Sequence, residues 1–149
     1  MAVLFRNVLQ AAGLESFPLV SGGKGVHVVA PLDRRQGWDV VEGFAKALAQ
    51  KMSALDPDNL VALQTKARRK GRIYVDWMRN KESATAIVPY SVRARPGGPV
   101  AMPVSWEQLR RVKSPAQFTM KAALRAKPAW TDFDARRGSV SKEALKALK

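Results

Sequence analysis

Seven residues, Ser21-Gly-Gly-Lys-Gly-Val-His27, follow one short apolar run, Phe17 to Val20, and lead into a second, Val26 to Ala30. Glycines at 22, 23 and 25 allow the backbone to reverse sharply and to approach a neighbour closely. The segment therefore predicts a β-hairpin, ended by Pro31, which cannot donate to a ladder. His27 stands between Val26 and Val28, so its ring points to the face opposite theirs. The turn also exposes backbone N–H groups beside an ammonium, a hydroxyl and an imidazole, a combination that suits a phosphate. The plainer alternative is a hairpin with a solvated lysine and a satisfied histidine.

A second run, Arg72-Ile-Tyr-Val-Asp-Trp-Met78, reads as a strand, with Gly71 before it and Asn80 after it. Alternation places Ile73, Val75 and Trp77 on one face, and Tyr74, Asp76 and Met78 on the other. An aspartate inside such a run needs a partner, water or a metal. Two readings stay open for Asp76: an edge-strand carboxylate facing water, or a ligand for a divalent cation. Lys66, Arg68, Arg69, Lys70 and Arg72 form a basic cluster just upstream.

Charge narrows the partner. Lysine and arginine number 26 against 12 acidic residues, a net charge of +14 at pH 7. That balance favours a polyanion, most simply nucleic acid. The basic residues gather at 66–72, 93–95, 110–113 and 121–127 rather than in one tail, which predicts a basic surface on a folded body. A chain of 149 residues with 46% hydrophobic content supports one globular core. There is no apolar run of membrane-spanning length, and no secretory signal at the N-terminus. The expectation is a cytoplasmic protein without a membrane partner. No cysteine and a single histidine exclude thiolate and multi-histidine metal sites.

Helical spacing predicts helices over 3–12, stopped by Gly13, and over 39–55. The second carries the stripe Val41, Phe44, Leu48, Met52 and Leu55, opened by a capping-box variant at Asp39 and Glu42. Asp56-Pro-Asp-Asn59 reads as a turn. Residues 60–70 are expected to be a basic helix. A strand over 84–94 is expected to pair with 72–78 across Lys81 to Ser83. Arg95-Pro-Gly-Gly-Pro99 is a loop, either a DNA-contacting tip or a solvated turn. Ser105-Trp-Glu-Gln108 is a capping box, and Ser114-Pro115 is expected to open another helix. Asp132 and Asp134 have the spelling of a metal pair but lie in a polar stretch that would not hold two carboxylates rigid. Residues 139–149 form a serine-capped final helix, which frays.

Four segments in this order resemble one family. They are Ser21-Gly-Gly-Lys-Gly-Val-His27, Gly71-Arg-Ile-Tyr-Val-Asp76-Trp-Met-Arg-Asn80, Ala86-Ile-Val-Pro-Tyr-Ser-Val-Arg-Ala-Arg-Pro96 and Pro103-Val-Ser-Trp-Glu-Gln-Leu109. Together they are similar to the primase-polymerase domain of bacterial DNA ligase D, in the archaeo-eukaryotic primase superfamily, from about residue 3 to about residue 135. The resemblance implies an α/β (α+β) fold, a mainly antiparallel sheet that includes 17–30 and 72–94 with helices packed on one side. It implies metal-dependent nucleotidyl transfer in end-joining repair. Asp76 matches the family's third metal-binding, catalytic aspartate. Ser21, Lys24 and His27 match its triphosphate motif, and Arg69 and Arg93 fall at its phosphate-contacting positions. Lys66, Arg68, Lys70 and Arg95 are the DNA-binding candidates. Arg79 departs from the family's usual glutamine, which puts finer sugar or phosphate contacts in doubt.

In that family the Asp-x-Asp pair precedes the first of these motifs, so residues 1–149 are expected to be a single domain equivalent to the C-terminal half. One aspartate leaves a divalent ion, Mn²⁺ or Mg²⁺, mostly hydrated and weakly held unless a partner half completes the site. The expected ligands are DNA and a nucleoside triphosphate, with little polymerase activity from the chain alone. The alternatives are a split polymerase completed by a separate chain or associated with a ligase, a non-catalytic repair scaffold, and a gene remnant.

Overall fold

The computed structural model describes residues 1–148. Helix α1 (Ala2–Ala11) buries Leu9. Gly13, at φ +75°, ends it: Gly13 N–H donates to Gln10 and Leu14 N–H reaches back to Leu9, the crossed bonds of a Schellman turn. That turn delivers Leu14, 2% exposed, into the core. Strands β1 (Phe17–Val20) and β2 (Val26–Val29) form the expected antiparallel hairpin, with Leu19 opposite His27 and Val20 opposite Val26. A distant strand, β3 (Met102–Pro103), pairs antiparallel with the other edge of β1. The result is a mixed α/β fold built on a three-stranded antiparallel sheet, in the order β2-β1-β3.

Helix α2 (Trp38–Leu55) runs where the stripe predicts it and buries Phe44, Ala49 and Met52. Its cap is Gly37 and not Asp39, because the helix begins at Trp38. Asp39 lies in the first turn, where a carboxylate opposes the positive end of the helix dipole. Leu55, the last member of the stripe, stays 54% exposed at the helix end.

Residues 60–70 are not a helix. Leu60–Val61 form a short strand, β4, parallel to β5 (Ile73–Tyr74), and only Lys66–Arg69 make one 3₁₀ turn. Two forces act against the helix. Leu60 and Val61 are nearly fully buried as a strand pair. The basic run places like charges at i,i+4, with no acidic residue between 60 and 70 to relieve them.

Residues 72–94 do not extend the antiparallel sheet. Only Ile73 and Tyr74 form a strand, and they pair with β4 rather than with 84–94; Val92 makes one isolated antiparallel bridge, to Val100. The second half lacks the backbone of a strand. Ser83 and Tyr90 have φ +61° and +65°, and Pro89 has no N–H to donate. What survives is an irregular reversal in which Tyr90 N–H donates to Ala101, Ala101 N–H to Ser91, and Arg93 N–H to Pro99.

The Ser105 capping box is formed and opens α3 (Trp106–Leu109). Ser114-Pro115 opens only a turn; the next helix, α4 (Met120–Arg125), is capped by Thr119. The final helix, α5 (Lys142–Lys146), is capped by Ser141 and buries Ala144. Its predicted last residue, Lys149, lies outside the described residues. Gln36 holds this segment from across the chain: its amide accepts from Val140 N–H at 2.8 Å and donates to the Val140 carbonyl. One apolar cluster joins Leu9, Leu14, Phe44, Val140, Ala144 and Leu148, and a second joins Val20, Met102 and Val104. These clusters fix β1 and β2, and so the glycine turn at their end. No described helix is long and apolar enough to cross a membrane.

Candidate functional site

Ser21 is the organiser of the glycine loop. It is 6% exposed, and its hydroxyl donates to the Gly25 carbonyl at 2.7 Å while accepting from Gly23 N–H and Gly25 N–H at 3.3 Å. The hydroxyl proton is thus spent inside the turn. Gly22 stands at φ +63°, and a Cβ there would lie 2.9 Å from Arg93 Cγ and 3.0 Å from the Val100 carbonyl oxygen. Absence of a side chain is what lets the 93–100 reversal pack on the loop. Gly23 is the close neighbour of the Arg95 guanidinium.

Beside this loop opens a cleft of about 750 Å³. Lys24 and His27 line it from the hairpin, Arg93 and Arg95 from the reversal, and Arg72, Tyr74, Asp76 and Arg79 from β5 and the residues on either side of it. Most sequence candidates therefore converge: Ser21, Lys24, His27, Asp76, Arg93 and Arg95 share one wall or another.

Asp76 does not stand free. Arg79 Nε donates to its Oδ2 at 3.0 Å, and Arg79 Nη1 donates to the Thr85 carbonyl at 2.7 Å. This pair also borders a second cleft of about 480 Å³, which holds Arg69. Arg69 lies 3.5 Å above the Tyr74 ring and donates to the Gln64 carbonyl at 2.6 Å. Lys66, Arg68 and Lys70 are exposed on the 3₁₀ turn and line neither cleft. Arg72 is the member of that basic cluster that lines the main cleft. Sequence reasoning assigned no role to Arg72 and treated Arg79 as a departure. The available signal for Arg79 was its i,i+3 spacing from Asp76, at a turn rather than within a strand.

The other aspartate candidates are accounted for locally. Asp132 pairs with Arg136 at 3.0 Å and Asp134 with Arg137 at 2.6 Å. Asp56 accepts from the Asn59 side chain at 2.8 Å, closing the expected turn. Among the described residues there is no group of three or more histidine, cysteine or acidic side chains that could hold a metal ion. Asp76 alone, already bonded to a guanidinium, does not fit a tightly held divalent ion.

The main cleft carries five cationic side chains, Lys24, Arg72, Arg79, Arg93 and Arg95, against one carboxylate. His27 reports that field. Burial holds its pKa below the usual 6.5, the charges of Arg79 and Arg93 push it further down, and Asp76 opposes them. The imidazole is neutral at neutral pH, so it has a single N–H to donate. The unfolded chain binds this proton more tightly. The stability contributed by neutral His27 is therefore complete above the unfolded pKa of 6.5 and is lost as pH falls toward the folded value. A histidine titration followed by NMR is expected to give a pKa below 6.5 in the free protein, moving upward when inorganic triphosphate is added. An unshifted resonance would remove His27 from the anion site.

Comparison with known proteins identifies the family. The model of the LigD primase-polymerase domain matches residues 1–132. The multifunctional non-homologous end joining protein LigD of Pseudomonas aeruginosa is 37% identical over 141 residues, covering 91% of this chain and 17% of that protein. The bifunctional non-homologous end joining protein LigD of Bacillus subtilis is 27% identical over 120 residues, 80% of this chain and 20% of its own length. The solved polymerase domain of Mycobacterium tuberculosis ligase D, in complex with DNA, superposes with a TM-score of 0.80 at 33% identity, over 92% of this chain and 49% of that one. The chain thus spans about half of that solved domain and a smaller share of the curated relatives. On the match over residues 1–132 and the likeness to the solved polymerase domain, the chain belongs to the LigD primase-polymerase domain family, a polymerase-domain family of end-joining repair.

Proposed function

We propose that this chain is the nucleotide- and DNA-binding half of a LigD-type primase-polymerase domain, acting on DNA ends in the bacterial nucleoid. The observation that carries the reading is the convergence of Lys24, His27, Arg72, Arg79, Arg93 and Arg95 on one cleft beside the glycine loop. Lys24 supplies a mobile point charge at the loop tip, and His27 a neutral donor. The arginines add planar forks suited to phosphate oxygens. A nucleoside triphosphate enters with its phosphates against this wall, and exposed Lys66, Arg68 and Lys70 extend the basic surface for the DNA backbone. The divalent ions of nucleotidyl transfer require converging carboxylates that residues 1–148 do not bring together, so other polypeptide supplies them.

Completion by a further half-domain is favoured over a stand-alone scaffold by apolar side chains left exposed at Ile73, in the cleft wall, and along 88–92. Ile73, Val88, Tyr90 and Val92 are each about half exposed or more. Primer extension with manganese separates the two. The chain alone is expected to extend nothing, and extension is expected when a half-domain carrying an Asp-x-Asp pair is added. Failure of extension in the mixture, with DNA binding intact, would favour the scaffold. For the nucleotide, Lys24→Ala is expected to weaken triphosphate binding about tenfold, the loss of one charge-assisted contact, and His27→Ala by less. Unchanged titrations in both variants would return the loop to a plain hairpin.

A further inference from the structure

The carboxylate that the family reading assigns to a metal is here already neutralised by a residue of the same turn. Asp76 receives Arg79 Nε at 3.0 Å, and the same guanidinium is anchored at its other end on the Thr85 carbonyl. Two anchors fix the plane of the fork. Its remaining N–H groups, on Nη1 and Nη2, stay available on a side chain that lines the cleft. The surroundings are unfavourable to a divalent cation. Lys24, Arg72, Arg93 and Arg95 line the same cleft, and no second acidic side chain joins Asp76 there. A guanidinium stays protonated at every accessible pH, so this cation cannot be titrated away.

From this geometry we infer that Arg79 occupies the place of a metal ion at Asp76, and that this chain binds the triphosphate of a nucleotide directly and without a divalent cation. Asp76 then acts as a positioning residue, orienting Arg79 toward the anion. The inference rests on the nucleotide-binding reading above and departs from it in removing the metal from this half of the site.

The test uses the whole chain with ATP as probe, by calorimetry in EDTA and again in manganese. Mn²⁺ binding without nucleotide is followed in parallel by electron paramagnetic resonance. ATP is expected to bind at least as tightly in EDTA as in manganese, because the uncomplexed polyphosphate carries more negative charge into a basic cleft. Arg79→Ala is expected to weaken binding in EDTA about tenfold. Asp76→Asn keeps an acceptor for Arg79 Nε but loses the charge that holds it, and is expected to weaken ATP binding in EDTA by less than Arg79→Ala does. Arg79→Gln is expected to gain a weak Mn²⁺ site that the added Asp76→Asn change removes. Circular dichroism checks that each variant is folded, and the exposed position of the pair makes that the expected result.

ATP binding that appears only with manganese and vanishes in Asp76→Asn would overturn the inference. So would an equal Mn²⁺ titration of the wild-type chain and Arg79→Gln. Absence of ATP binding in both media would sink the nucleotide-binding reading, and this ligand with it. The manganese titration would then still decide whether Arg79 excludes a metal from Asp76.

Discussion

Affinity for duplex DNA is expected to fall about 500-fold between roughly 50 and 200 mM salt. The surface offers five cations in the main cleft and three more, Lys66, Arg68 and Lys70, exposed on the 3₁₀ turn. If about five of these neutralise phosphates, log affinity falls with log salt at a slope of roughly −4 to −5. Each cation released as a condensed counterion contributes to that slope irrespective of base sequence, so binding is expected to be largely sequence-independent. Arginine-to-alanine changes at positions 72, 93 and 95 should each lower the slope by about 1. Fluorescence anisotropy across a salt series measures it. A flat series would count decisively against an electrostatic groove, and an unchanged slope in the Lys66/Arg68/Lys70 triple variant would confine the DNA path to the cleft.

Gly22→Ala is expected to cost about 1–3 kcal/mol of stability and to disable the anion site with it. The backbone there is left-handed, at φ +63°, which alanine tolerates poorly. The added methyl group would also stand 3.0 Å from the Val100 carbonyl, a main-chain atom that cannot swing aside, and 2.9 Å from Arg93 Cγ. Relief of the second contact moves Arg93 out of the cleft wall. Stability and triphosphate affinity should therefore fall together. Gly25→Ala provides the contrast, since a Cβ at Gly25 meets nothing within 4 Å and the backbone there is not left-handed. Chemical denaturation and ATP titration of the two variants read both effects. Equal behaviour of the two would mean that the loop and the 93–100 reversal are independent.

Much of the architecture was legible along the chain because it is local. The hairpin followed from glycines between two apolar runs, and helices α1 and α2 from apolar spacing with a glycine or a turn at the stop. The capping box at Ser105 needed only two side chains three residues apart. The family resemblance was carried by the order of four motifs, and the match over residues 1–132 agrees with it.

The failures share a physical cause. Leu60 and Val61 became a strand because Ile73 and Tyr74 were available to pair with them, a contact that helix propensity over 60–70 cannot register. Residues 84–94 have strand composition, but positive φ at Ser83 and Tyr90 turned them back onto 99–101, where backbone partners were already waiting. Ser114-Pro115 lost its helix to Thr119, five residues on.

Sequence by itself therefore determined the hairpin, the cationic character of the chain and which side chains could meet a phosphate. Only the tertiary structure decided which of them do share a cleft. It drew in Arg72 and Arg79, left Lys66, Arg68 and Lys70 on the outer turn, and placed Ser21 inside the loop as its brace. It also set Arg79 against Asp76, at the turn that follows β5. Spacing fixes what lies on one face of one element. Which elements meet depends on burial and backbone pairing across the chain, and those forces chose the neighbours of Asp76.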